Sequence, residues 1–286
     1  MFLKAAAAGA LGAVMASKSS YAAEEATALV ALGKRLKCSR IGAGTGMRGW
    51  QRESNHTRMG KAKFEALLNY EYDQGIRFYD CADLYGTHEI VGGFLKGKPR
   101  DSYVVSTKIW FKPDGIPEGD RPDADVCVKR FLKELQTECI DLVQLHAVES
   151  AQWNEEERKQ MDLLAKLKEQ GLIKAHGVTC HSLPALKTAA AEPWVDVIHA
   201  RINPFQMHMD ATPEEVVPVL KAARKAGKGV IGMKINGQGD CSASQLSESI
   251  KFALSCGAVD CMIAGFETNE QIDVFKKLVT EHLNGK

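Results

Sequence analysis

Eight short runs of β-branched and apolar residues recur after Cys38, and this recurrence constrains the chain more than any other feature. They fall at about Ser39–Ala43, Arg77–Asp80, Tyr103–Thr107, Leu142–His146, Ala175–Thr179, Val197–Ile202, Val230–Lys234 and Cys261–Gly265. Between them lie stretches with apolar residues three or four apart, the spacing of a helix with one inward face. Phe64-Leu67-Leu68-Tyr72, Val128-Leu132-Leu135 and Leu163-Leu164-Leu167 show it best. Gly75, Gly171 and Gly227 stand where helices should stop, and Thr212-Pro213-Glu214-Glu215 and Thr268-Asn269-Glu270 where they should start. Strict alternation of strand and helix with right-handed crossovers builds a parallel sheet. Eight units of about thirty residues close it into a (β/α)8 TIM barrel; an open doubly wound sheet is the rival. No linker or composition shift divides the chain, so one barrel is expected over residues 38–286, after a lead-in at 23–37 and a separate segment at 1–22.

That first segment reads as a secretory signal: Lys4, an Ala-rich apolar run from Ala5 to Ser17, then Ser20-Tyr21-Ala22 with small residues where a signal peptidase cuts. It is too short for a stable membrane span. The opening Phe2-Leu3-Lys4 resembles the tail of a twin-arginine export signal whose arginines are missing. A start assigned too late, an ordinary signal and an N-terminal cap are the three readings. Export, to the periplasm, is the expectation, with a cytoplasmic location as the alternative. Lys and Arg number 37 against 36 Asp and Glu, a net charge of +1, which gives no footprint for a nucleic acid or an anionic membrane. With 45% apolar residues, the chain is expected to act as a globular monomer on a small molecule. The eight cysteines are scattered singly with no Cys-x-x-Cys pair, so no metal site is expected, and one or two disulfides in an oxidising compartment stay open.

In such barrels the chemistry gathers at the carboxyl ends of the strands. There the second strand brings Asp80, with Tyr85 five residues on; the third brings Lys108 and the fourth His146. A phenol with a pKa near 10 gives up its proton poorly unless its anion is stabilised. A lysine ammonium does that, a carboxylate holds the ammonium charged, and an imidazole can hydrogen-bond a carbonyl oxygen. Together the four can protonate a carbonyl oxygen as hydride reaches its carbon.

Gly75-Ile-Arg-Phe-Tyr-Asp80-Cys-Ala-Asp-Leu-Tyr85-Gly, followed by Glu89-Ile-Val-Gly92, Ser106-Thr-Lys108 and Leu145-His146, resembles the aldo-keto reductases in order, spacing and placement on the strands. The likeness extends to Gly42-Ala-Gly44-Thr45, Gly177-Val-Thr-Cys and the stretch from Gly265 to Gln271, and so covers residues 38 to about 280. It implies catalytic roles for Asp80, Tyr85, Lys108 and His146, with Tyr85 as general acid.

The resemblance also implies a nicotinamide cofactor, NADP(H) by family habit, with NAD(H) as the alternative. The family holds the carboxamide with a Ser-Asn pair after the fifth strand and a Gln on the sixth, and stacks the ring on a Tyr at the seventh. The matching positions here are Thr179 and Cys180, His199, and Met233 with Lys234 next. Gly44, Thr45, Gly265, Glu267, Thr268 and Gln271 complete the expected cofactor set, with Lys234 reaching toward the phosphates. No Arg or Lys stands between Gly265 and Gln271, and Glu267 would repel a 2′-phosphate while suiting ribose hydroxyls. Trp50, Trp110 and Phe111 are the expected walls for an apolar carbonyl substrate, and the turn-rich loop at 113–122 is a candidate lid. Two other functions compete: a barrel that binds without catalysis because its cofactor site has degenerated, and a metal-dependent hydrolase built on Asp80, His146, Cys180, His181 and His199.

Overall fold

The computed structural model describes residues 25–285. The signal reading of residues 1–22 therefore lies outside the described residues. The expected runs become strands β3 (Ile41–Gly44), β4 (Phe78–Asp80), β5 (Val104–Ile109), β6 (Ile140–Val148), β7 (Ile173–Cys180), β8 (Val197–Arg201), β9 (Gly229–Met233) and β10 (Cys261–Ala264). All neighbours pair in parallel, and β10 returns to β3 to close the barrel. The doubly wound alternative is thereby excluded. Nearly every strand residue is buried, because one face of each strand fills the barrel and the other meets the helices. Along β6, Leu142 belongs to the interior cluster, whereas Val143 and Leu145 join the layer beneath the helices.

The helix signals are used as the sequence implies. Thr212 forms a capping box with Glu215 ahead of the helix Pro213–Lys225, with Pro at its first turn, and Thr268 accepts from the Gln271 amide at the start of Asn269–Leu283. Gly227 follows the first of these at φ +93, a left-handed conformation that carries no penalty for glycine. No helix among the described residues is long and apolar enough to cross a membrane. All eight cysteines are free.

The lead-in proved to be more than a connector. Residues 29–39 form an antiparallel hairpin, β1 (Leu29–Leu32) and β2 (Leu36–Ser39), turning at Gly33 with φ +59. Leu32, Leu36 and Cys38 plug the amino-terminal end of the barrel against Phe78, Leu142, Val197 and Ile231. Burying each leucine is worth about 1.5–3 kcal/mol. Hence, among the described residues, apolar side chains close one end of the barrel and the carboxyl-terminal end opens.

Candidate active site

At that open end lies a cavity of about 450 Å³ lined by Asp80, Tyr85, Lys108 and His146 together. The Lys108 ammonium, almost fully buried, donates to both oxygens of Asp80 and to the Cys81 carbonyl, each at 2.7 Å. Ser106, on the same face of β5 as Lys108, donates to Asp80 Oδ1 at 2.6 Å. Burial pushes the Asp80 carboxyl up and the Lys108 ammonium down, but their mutual attraction wins in both, so Asp80 lies below its ordinary value and Lys108 above. The pair is ionised and fixed.

Tyr85 sits one turn after β4, in the short helical turn Asp83–Tyr85. That turn is clamped from several sides. Asp83 accepts from Arg52 Nε at 3.2 Å and from Arg130 Nη1 and Nη2 at 3.0 and 2.6 Å, while the Arg52 amide donates to the Leu84 carbonyl at 3.0 Å. Gly86 follows at φ +68, and a Cβ there would stand 1.9 Å from the Arg52 carbonyl oxygen. Gly46 and Gly49 let their loop lie against the phenol ring, since a Cβ on either would come within 2.2 and 2.5 Å of ring atoms. Lys108 Nζ stands 5.0 Å from the ring centroid. Burial raises the Tyr85 pKa above its ordinary value, and the Lys108 charge only partly pulls it back, so the phenol holds its proton.

The His146 ring meets Tyr85 and Trp110 edge-on, with centroids 5.7 and 5.2 Å away. Burial, then the Lys108 charge, lowers its pKa well below the ordinary value, so the imidazole is neutral. Its buried Nδ1 has no hydrogen-bond partner among the described residues. The next residue, Ala147, has φ +59, and the β6–β7 register shifts between Leu145 and Val148. This irregularity turns Ala147 to the cavity as well.

Of the expected cofactor residues, Gly44, Thr179, His199, Met233, Lys234 and Gly265 line the same cavity. Thr179 Oγ1 accepts from the Ala147 amide at 2.6 Å. His199 Nδ1 donates to Gln144 Oε1 at 3.0 Å, and burial brings its pKa to about 4. Cys180 faces the layer beneath the helices rather than the cavity, and His181 lines the cavity instead. The reason is local: β7 runs through Cys180, paired with Val148, so consecutive residues Thr179 and Cys180 face opposite sides. Thr45 is also set aside, because its buried hydroxyl donates to the Asp80 carbonyl at 2.9 Å and pairs with Thr87, fastening the β3 and β4 ends. A second cavity of about 490 Å³ is lined by Glu267, Gln271 and Glu270. It shares Met47, Arg48, Asn236, Gln238 and Gly265 with the first. Thr268 lines neither cavity and serves as a helix cap.

Trp50 and Trp110 line the catalytic cavity and pack edge to face at 5.7 Å. Phe111 does not; it packs on the core between barrel and helices. The 113–122 loop is tied down, with Asp120 bound to Arg52 at 3.0 Å and the Trp110 indole donating to the Asp114 carbonyl. Among the described residues no group of three or more His, Cys, Asp or Glu is placed to hold a metal ion. The hydrolase set fails because Cys180 faces away and Asp80 is engaged by Lys108 and Ser106.

Sequence reasoning also missed Arg48, Lys112 and the Arg201–Asp210 pair (3.1 Å). Arg48 borders both cavities and has no acidic partner among the described residues. Its only signal was its place in the glycine-rich segment after β3.

A closed (β/α)8 barrel with a lysine-backed phenol and a neutral imidazole in a cavity at its open end defines the class of (β/α)8 barrel proteins with a polar cavity at the strand ends. The chain belongs to the aldo/keto reductase family, whose model matches residues 40–281. It is 28% identical over 192 residues to probable aldo-keto reductase 1 of Glycine max, covering 65% of this chain and 53% of that one. It is 28% identical over 214 residues to D-threo-aldose 1-dehydrogenase of a Pseudomonas species, covering 63% and 61%. The chain thus spans little more than half the length of these curated relatives. A putative aldo-keto reductase from Pseudomonas aeruginosa superposes with a TM-score of 0.74 at 22% identity, over 91% of this chain and 96% of that one.

Proposed function

We propose that the protein reduces an aldehyde or ketone to the alcohol with a nicotinamide cofactor, and that Tyr85 delivers the proton. The observation that carries this is the buried Asp80–Lys108 pair standing beneath the Tyr85 ring. When bound, the nicotinamide supplies the hydride. Tyr85, still protonated because burial holds its pKa high, donates from Oη to the carbonyl oxygen. Lys108 is fixed by Asp80 and stabilises the phenolate left behind, which is where the charge develops. A ring N–H of neutral His146 donates to the same oxygen, orienting the carbonyl.

The residues present fit an elongated cofactor. The two cavities adjoin through Met47, Arg48, Asn236, Gln238 and Gly265, and Arg48 offers at their junction a cation with no acidic partner among the described residues. Thr179, His181 and His199 would hold the carboxamide end, and Arg48 with Gln238 the phosphates. At the far end Glu267 accepts from Asn55 Nδ2 at 2.9 Å, with Glu270 beside it. Two carboxylates there favour ribose hydroxyls over a 2′-phosphate, which argues for NAD(H) against the family habit of NADP(H).

Tyr85→Phe should cut carbonyl reduction by a factor of about 10²–10⁴ while leaving cofactor affinity nearly unchanged. Unchanged turnover would sink the proton-donor assignment. Parallel fluorescence titrations with NADH and NADPH test the cofactor; binding of neither would turn the barrel into a binding protein.

A further inference from the structure

The catalytic cavity contains a cation that proton transfer does not use. Lys234 follows β9 in a left-handed conformation, φ +63, that lysine adopts only at a cost. Its carbonyl accepts from Asn203 Nδ2 at 3.2 Å and from the Gly237 amide at 3.0 Å, which fixes the turn. The side chain lines the catalytic cavity and not the second one.

Apart from Arg48, where the two cavities join, the basic groups near it are matched. Lys108 is bound to Asp80 at 2.7 Å, Lys112 to Glu149 at 2.8 Å and Arg201 to Asp210 at 3.1 Å. Among the described residues no carboxylate lies within ion-pair distance of Lys234. Burial first, then the repulsive charges of Arg201 and Lys108, bring the pKa of its ammonium down to about 8. His181, the imidazole among these cations, is neutral, its pKa brought to about 2 mainly by burial. The remaining acids lining the cavity, Asp114 and Glu149, are exposed, where their charge is screened. An ammonium taken largely out of water with no anion opposite it is unfavourable, and an incoming anion relieves that cost.

We propose that Lys234 docks an anionic group of the substrate, so that the protein acts on carbonyl compounds bearing a carboxylate, such as aldehyde acids. The apolar part of such a substrate meets Trp50 and Trp110. This inference rests on the reductase reading. The same ammonium chemistry would serve a cofactor phosphate, but Arg48 already stands where the two cavities join and Lys234 does not.

The test compares 4-formylbenzoate with benzaldehyde on wild type and Lys234→Met. Three quantities are read: kcat/KM for each aldehyde, the Kd of each for the cofactor-free protein by tryptophan fluorescence, and the Kd of NADH and NADPH. Wild type should prefer the carboxylate by about tenfold or more, mainly through KM and Kd, and Lys234→Met should lose that preference. A preference absent from wild type, or surviving in the variant, overturns the proposal. So does a variant whose loss is confined to cofactor Kd, since the cation would then serve the phosphates. If neither aldehyde is reduced yet wild type binds formylbenzoate and the variant does not, the docking site stands and the reductase reading falls. Lys234→Gln, closer in shape, repeats the comparison should the Met variant fold poorly.

Discussion

Asp80 and Glu71 are both carboxyl groups buried to within a few per cent, yet at neutral pH the first is charged and the second mainly neutral. Asp80, at the open end of the barrel, accepts from Lys108 and Ser106 and is held below its ordinary value. Glu71, in the helix Lys61–Asp73, has a buried Oε2 with no partner among the described residues, and burial pushes its pKa up to about 8. The difference teaches that depth alone neutralises an acid. Of these two carboxylates, the one that keeps its charge is the one given a counter-charge, at the open end of the barrel.

The sharpest way to break the comparison is to make Asp80 resemble Glu71. Lys108→Met should lower turnover by at least about 10²-fold. It should also destabilise the fold at pH 7 by about 3–5 kcal/mol, the effect of breaking a buried ion pair. In wild type the folded Asp80 pKa is depressed, so its contribution is present above its ordinary value of 3.8 and lost as pH falls through the folded value. In the variant the folded pKa should instead rise, so the deficit should shrink between pH 7 and pH 5, as urea melts at the two pH values would show. An equal deficit at both would mean that Lys108 does not control Asp80.

Glu71→Gln tests the other side with a smaller effect. A carboxyl raised from 4.5 to about 8 keeps a proton that the unfolded chain releases, so wild-type stability should fall as pH rises through that window. The slope is at most about 1.4 kcal/mol per pH unit. The glutamine variant should lose this slope and be more stable than wild type at pH 8, with turnover unaltered; parallel slopes in the two proteins would remove Glu71 from the account.

Glu267, an exposed carboxylate, offers the mildest case. Glu267→Arg should shift relative affinity toward NADPH over NADH by about tenfold, within the modest range of exposed charge pairs. Titration of both cofactors checks it, and an unmoved ratio would take Glu267 out of the adenosine end.

Much of this was written in the sequence. The barrel strands were legible because strands buried on both faces must be continuously apolar, and the Asp80, Tyr85, Lys108 and His146 set because motif spacing and strand ends coincide. The β1–β2 hairpin was not legible: its strands are four residues each, with Lys37 interrupting the inward Leu36 and Cys38, too brief for a period to register. Cys180 was misplaced because the length of β7 depends on its pairing with the irregular end of β6. Arg48 was harder still, since its significance lies in which acids fail to reach it; Lys234 was picked out from the sequence, but as a residue for the cofactor phosphates.

The hairpin plug has a practical side. Because Leu32, Leu36 and Cys38 seal one end of the barrel, the polypeptide enters the fold on the face opposite the substrate opening. An affinity handle, a fluorophore or a surface tether joined ahead of Leu29 would meet the closed face. Proteins anchored that way would stand with their mouths toward the solution.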